Sequence, residues 1–327
     1  MPSRLEKSVR LNGTECLVAF PTQARKRRGA QEPSPSSSST SLSYSRLAVI
    51  VTHPWNILGG NLHNNVVTAT CLYFQRLGIT TLRFNFKGTG LGRGGTQVEQ
   101  LKAVAQGLLE YNQNYKEATE QAPTHLLLVG YSYGSLIASS ASADIPQCIG
   151  VIAIAPPFAV QHWLLLFNTQ YHLDRATLRE ALPRLFVIGT NDNFTSETIF
   201  TDYIEQNFPP EATTTAIIKD ADHFFAKCES DVMHVIGEWI LYTFRQCQDD
   251  LFQLRNLTFG ITVPVRHVSS ATTAAATPKS SGNVAKTRSN AAPATAAKET
   301  MNANGKPAGR INPTTIASCA SSCFAPK

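Results

Sequence analysis

The chain lacks several features that would each point to a class of protein. Nowhere in its 327 residues do about eighteen apolar residues run together, so no membrane-spanning helix is expected. Its first residues, MPSRLEKSVRLNGTECL, contain no apolar stretch of the kind that marks a secretory signal, and a soluble, unsecreted, cytoplasmic protein is expected. The seven cysteines, Cys16, Cys71, Cys148, Cys228, Cys247, Cys319 and Cys323, are odd in number and scattered. Within the core no pair has disulfide-framework or metal-site spacing, which fits a reducing compartment and gives no reason to expect a metal or other cofactor there. Acidic residues are nearly missing from 268–327, where seven Lys and Arg stand against Glu299 alone and no apolar periodicity appears. That tail carries a net +6, the formal charge of the whole chain, so the remainder is close to neutral and the basic balance is no sign of a nucleic-acid groove in the folded part. The tail reads as a disordered low-complexity segment following one domain at 1–267.

What is present is a core-forming fraction, 43% hydrophobic, arranged in alternating patterns. Two short alternating stretches flank Asn12-Gly13, a strong hairpin signal. Residues 22–45, with RKRR, prolines and a serine run, read as a flexible loop. Strand-like runs at 47–52, 80–86, 126–129, 151–155, 185–189 and 214–219 then alternate with helix-like segments at 61–77, around Val98 to Leu108, at 134–143, at 197–207 and around Val232 to Ile240. This implies an α/β fold: a mostly parallel sheet of about eight strands, helices on both faces, and an antiparallel N-terminal edge. Residues 158–182, rich in Trp, Leu and Phe, interrupt the alternation and are the candidate lid insertion.

In parallel sheets the reactive residues gather at the carboxyl ends of strands. Four polar residues stand there: His53 in VTHPWNILGG, Ser132 in LLLVGYSYGS, Asp192 in IGTNDNF and His223 in KDADHFF. The pattern G-x-S-x-G at Gly130, Ser132 and Gly134 arises by chance in about one chain in ten of this length, so context decides. A serine hydroxyl needs a base to take its proton, and the base needs an acid to orient it. Ser132, Asp192 and His223 supply those roles in the order Ser, Asp, His, each after its own strand.

With these residues in hand, the chain resembles the α/β-hydrolase superfamily, and within it small bacterial-type serine hydrolases with an H-P-x-x-x-x-G-G segment. The matching segments are HPWNILGGNLHNNVV, LRFNFKGTG, VGYSYGS, IAPPF, GTNDNF and ADHFF, spanning 53–225. The resemblance implies a serine hydrolase of esterase, thioesterase or amidase type, with Ser132 as nucleophile, His223 as base and Asp192 as orienting acid. It further implies an oxyanion hole made by the backbone N–H groups of Tyr133 and Trp55. His53, His63, Phe158 and Trp163 are the candidates for substrate contact, the two aromatics through an apolar wall in PPFAVQHWLLLF. The partner expected is a small acylated molecule. Acyl transfer by the same triad and a non-catalytic binding protein on this fold are the alternatives. A dinucleotide site is weighed at Gly90 to Gly95, which matches G-x-G-x-x-G. It is set aside because Lys87, Gly88 and Thr89 separate the strand from the glycines and no acid suited to a ribose ends a strand about twenty residues on.

Overall fold

The computed structural model describes residues 6–20, 46–88, 92–111 and 123–244. The loop expected at 22–45 and the tail expected at 268–327 lie outside the described residues.

The chain opens with β1 (Glu6–Leu11) and β2 (Thr14–Ala19), paired antiparallel through Asn12 and Gly13. Both turn residues have positive φ, 42° and 78°, as a tight hairpin that follows the strand twist requires. Then come β3 (Leu47–Thr52), α1 (Asn65–Arg76), β4 (Thr80–Phe84), α2 (Gly95–Leu109), β5 (His125–Tyr131) and α3 (Tyr133–Ala141). The second half adds β6 (Cys148–Ile154), the short α4 (Gln161–Leu164), α5 (Thr169–Thr177), β7 (Arg184–Asn191), α6 (Glu197–Asn207), β8 (Thr213–Asp222) and α7 (Glu229–Thr243).

These strands form one eight-stranded sheet in the order β1-β2-β4-β3-β5-β6-β7-β8. The β1–β2 and β2–β4 pairs are antiparallel and every other pair is parallel. Successive side chains of a strand point to opposite faces, and both faces here are covered. On one face Ala48, Ile50, Leu126, Leu128 and Phe186 pack with Leu101 of α2, Ile137 of α3 and Phe200 of α6. On the other, Val49, Val51, Leu127, Val129 and Val187 pack with Phe74 of α1 and Trp239 of α7. This double cover explains why the central strands read as unbroken apolar runs. None of the helices among the described residues is long and apolar enough to cross a membrane.

Among the boundaries that differ from the sequence expectation, two have a visible local reason. The helix expected from residue 61 begins at Asn65, because the Asn64 side chain accepts from the Asn61 N–H (2.7 Å) and the Asn61 side chain from the His63 N–H (2.8 Å), a local alternative to helix. The strand expected to reach residue 86 ends at Phe84, because the Phe86 N–H leaves the ladder for the His53 ring (2.9 Å).

Residues 158–182 form α4 and α5 and are tied to the body of the domain. Leu165, Thr169, His172 and Ala176 are buried. The Arg184 guanidinium, itself buried, donates to the carbonyl of Ala176 in the last turn of α5 and to those of Arg179, Glu180 and Leu182 beyond it. A cation placed on such carbonyls satisfies acceptors that a helix end leaves open.

The N-terminal hairpin is fastened by a buried ion pair. Arg83 of β4 donates to both carboxylate oxygens of Glu6 (2.9 and 2.7 Å), to the Leu62 carbonyl and to Thr68 Oγ1 (both 2.8 Å), with each charged side chain only 1% exposed. Breaking one partner of such a pair strands a buried charge, whereas replacing both removes the desolvation cost as well. Glu6→Ala is therefore expected to lower unfolding stability by about 3–5 kcal/mol in urea denaturation, and Glu6→Leu with Arg83→Met to recover much of that loss.

Candidate active site

The site is built where β5 passes into α3. Ser132 sits between them at φ 53° and ψ −122°, a conformation that costs about 1–3 kcal/mol for a residue with a side chain. Its N–H donates to the Ile154 carbonyl (2.8 Å), and its carbonyl accepts from Ser135 Oγ (2.6 Å). The flanking glycines are required by crowding. A Cβ on Gly130 would lie 2.4 Å from the Gly134 carbonyl oxygen, and one on Gly134 would lie 2.6 Å from the His53 carbonyl oxygen and 2.8 Å from that of Thr52. Thr52 Oγ1 also donates to the Gly134 carbonyl (3.0 Å), drawing the end of β3 against the turn.

The carboxylate and the imidazole come from the ends of β7 and β8. Asp192 directly follows β7. Its Oδ1 accepts from the N–H groups of Phe194 (2.8 Å) and Thr195 (3.0 Å), and Thr195 Oγ1 donates to the Pro156 carbonyl (3.0 Å). Its Oδ2 lies 2.8 Å from His223 Nδ1. His223 directly follows β8, and its carbonyl accepts from the Tyr131 hydroxyl (3.0 Å). Its Nε2 lies 2.9 Å from Ser132 Oγ. A carboxylate only accepts, so the imidazole proton belongs on Nδ1 and the Nε2 lone pair faces the serine hydroxyl. Ser132, Asp192 and His223 are 7%, 8% and 4% exposed, which places this chain of hydrogen bonds in a weakly screened environment. Phe194 and the exposed Phe224 flank the imidazole at ring separations of 4.4 and 5.7 Å.

Tyr133 is the first residue of α3, where backbone N–H groups have no partner within the helix and the helix dipole favours negative charge. Its buried hydroxyl makes no hydrogen bond. Trp55 opens the turn after His53-Pro54, and its carbonyl accepts from the N–H groups of Leu58 (3.2 Å) and Gly60 (3.0 Å).

The four residues expected to contact the substrate fare differently. His53 is 1% exposed and both its ring nitrogens are held by backbone: Nδ1 lies 2.6 Å from the Pro54 carbonyl, and Nε2 accepts from the Phe86 N–H at 2.9 Å. No ring atom that bonds polar partners is left for a substrate, and burial pushes the ring's pKa down to about 4. His63 is exposed in the turn before α1, where its backbone N–H donates to Asn61 Oδ1 and its carbonyl accepts from Thr68 Oγ1. Phe158 is a core residue, its ring 4.1 Å from that of Tyr203 and 6.1 Å from that of Phe186. It lines a cavity of 20 Å³ beside α3 together with Ser135, Leu136, His172 and Tyr203, and none of the Ser132, Asp192 and His223 side chains reaches that cavity. Trp163 is 72% exposed against Phe167 and lies outside the cavity.

Sequence reasoning missed His172. Buried, it joins Ser140 Oγ (2.9 Å, Nδ1) to the Arg93 carbonyl (2.6 Å, Nε2), and so pins the glycine loop before α2 to α3. Gly94 lies so close that a Cβ there would be 2.7 Å from His172 Nε2, which gives that glycine a packing role. A histidine inside an apolar segment carries no sequence signal of such a role. Among the described residues no three His, Cys, Asp or Glu side chains are grouped to hold a metal.

A mostly parallel eight-stranded sheet, with helices on both faces and a serine at the turn after β5, is the architecture of the α/β hydrolases. The family model described as serine aminopeptidase, S33, matches residues 45–287, and the chain belongs to that family of hydrolases. A curated relative, an uncharacterized protein of Rickettsia prowazekii (strain Madrid E), is 26% identical over 198 residues, 59% of this chain and 77% of the relative. Among solved structures the fold is similar to an α/β serine hydrolase from Xanthomonas campestris described as having no lid, with TM-score 0.53, 22% identity, and coverage of 74% of this chain and 96% of that one. It is also similar to an α/β serine hydrolase homologue from Coxiella burnetii, with TM-score 0.52, 21% identity, and coverage of 73% and 98%.

The elbow geometry makes a stability prediction with an internal control. Gly134→Ala drives a methyl into two backbone carbonyls and is expected to lower unfolding stability by about 1–3 kcal/mol. At Gly95, the first residue of α2, a Cβ would meet open space. Gly95→Ala is expected to be neutral or to gain up to about 1 kcal/mol, since it restricts only the unfolded chain. Parallel urea melts of the two variants read the difference.

Proposed function

We propose that the protein cleaves an ester, thioester or amide through an acyl-enzyme formed on Ser132. The reading rests on one observation: the unbroken chain of hydrogen bonds from Ser132 Oγ through His223 to Asp192, at 2.9 and 2.8 Å. In the first half-reaction Ser132 Oγ attacks the acyl carbon while its proton passes to His223 Nε2. Asp192 stabilises the imidazolium that results. The oxygen of the tetrahedral intermediate is received by the N–H groups of Tyr133 and Trp55, donors already oriented before charge develops. Collapse expels the alcohol, thiol or amine, which takes the proton from His223. Water then repeats the sequence: its proton goes to His223, its oxygen to the acyl carbon, and Ser132 is released.

The surroundings fit a substrate with an apolar group near the base, because the Phe194 and Phe224 rings lie 4.4 and 5.7 Å from that of His223.

A fluorophosphonate probe tests the assignment. It reacts with a serine that has both a base and an oxyanion hole. The wild-type protein should be labelled at neutral pH, Ser132→Ala should not, and Asp192→Asn should lose turnover on the order of a thousandfold or more. Labelling that persists in Ser132→Ala would place the nucleophile elsewhere.

A further inference from the structure

His53 has a buried imidazole that the reaction does not use, on the loop that carries Trp55. An N–H group helps an oxyanion only if its direction is fixed beforehand. In a trans peptide the C=O and N–H point to opposite sides of the chain, and a bond to a non-proline residue such as Trp55 is trans. Whatever grips the Pro54 carbonyl therefore sets the direction of the Trp55 N–H.

That grip is visible. Phe86 donates its N–H to His53 Nε2 at 2.9 Å, so Nε2 holds a lone pair and the proton belongs on Nδ1, 2.6 Å from the Pro54 carbonyl. Burial, which pushes the ring's pKa down to about 4, keeps this neutral form through neutral pH. On the far side of Trp55, the carbonyl is fixed by the Leu58 and Gly60 N–H groups at 3.2 and 3.0 Å. Gly60 closes the turn so tightly that a Cβ there would lie 2.1 Å from the Pro54 oxygen. The His53 carbonyl in turn lies where a Cβ on Gly134 would be 2.6 Å away, so the gripped loop abuts the turn that carries Ser132.

We propose that His53 is a positioning residue for the oxyanion hole: its Nδ1–H holds the Pro54 carbonyl and thereby aims the Trp55 N–H at the acyl oxygen on Ser132. The inference rests on the acyl-enzyme reading above. It assigns separate tasks to the two ring nitrogens, Nε2 selecting the tautomer and Nδ1 setting the peptide plane.

Two amide substitutions separate those tasks. In His53→Asn the side-chain amide nitrogen occupies the place of Nδ1 and retains a donor for Pro54. In His53→Gln the amide reaches the place of Nε2, retains an acceptor for Phe86 and leaves the Pro54 carbonyl ungripped. Each variant keeps one hydrogen bond of two, so a merely structural role would lower both in parallel. With p-nitrophenyl butyrate as substrate, His53→Gln is expected to lose about 100-fold in kcat with KM little changed, and His53→Asn to stay within about tenfold of wild type. Proline at 55 lacks the N–H in question, and the φ of −60° at Trp55 suits it. On a Trp55→Pro background, His53→Gln should cost no further kcat. Equal losses in Asn and Gln, or a full loss that persists on the Trp55→Pro background, would overturn the inference. If His53→Gln does not fold, His53→Asn carries the test alone: a 100-fold fall there overturns it. A wild-type rate that Ser132→Ala leaves intact would overturn the acyl-enzyme reading and this inference with it.

Discussion

Between the end of β3 and the start of α3 there is no room for a side-chain carbon, and the candidate site follows from that contact. The two backbones touch because β3 and β5 are neighbours in register, Thr52 opposite Gly130. Gly134 lets the chain pass the His53 and Thr52 carbonyls, and Gly130 lets it turn back over Gly134 itself. The turn that results sends Ser132 into a strained conformation, whose cost is offset by the buried two-faced sheet beneath it. It also sets the first N–H groups of α3 beside the loop that carries Trp55. Ser132 and the two backbone segments proposed to receive an oxyanion are thus brought together by backbone packing.

The remaining groups are delivered by strands that follow in the sheet, each anchored on its own account. Asp192 has one carboxylate oxygen occupied by two backbone N–H groups, so only the other is turned to His223. His223 is held from below by the Tyr131 hydroxyl of the same strand that ends in the elbow. A hydrogen-bonded chain in a buried setting works only if each member keeps its place, and here backbone N–H groups hold Asp192 and a buried tyrosine hydroxyl holds the His223 backbone.

How much of this was legible in the sequence depends on the kind of contact involved. The run LAVIVT declares a strand covered on both faces, and its observed limits, Leu47–Thr52, are those of the apolar run. Ser132, Asp192 and His223 could be picked out because strand ends are marked by the change from apolar to polar residues. His53 was found by the same signal, yet its partners are carbonyl and amide groups of Pro54 and Phe86, which no side-chain pattern reveals. Phe158 and Trp163 stand five residues apart in one apolar stretch, and the sequence gives no means to tell the ring buried against Tyr203 from the ring left at the surface. In the stretch that suggested a lid, Leu165 and Ala176 are buried against the body, whereas Trp163, Leu166, Phe167 and Leu178 are exposed.

The central claim is that the elbow and the His53–Gly60 loop together form one preorganised oxyanion site. The most direct measurement is a crystal structure of the protein phosphonylated at Ser132. The phosphoryl oxygen, standing for the oxygen of the tetrahedral intermediate, should lie about 2.7–3.1 Å from the backbone nitrogens of both Tyr133 and Trp55. An adduct whose phosphoryl oxygen turned to solvent, or reached only one of the two nitrogens, would contradict the account.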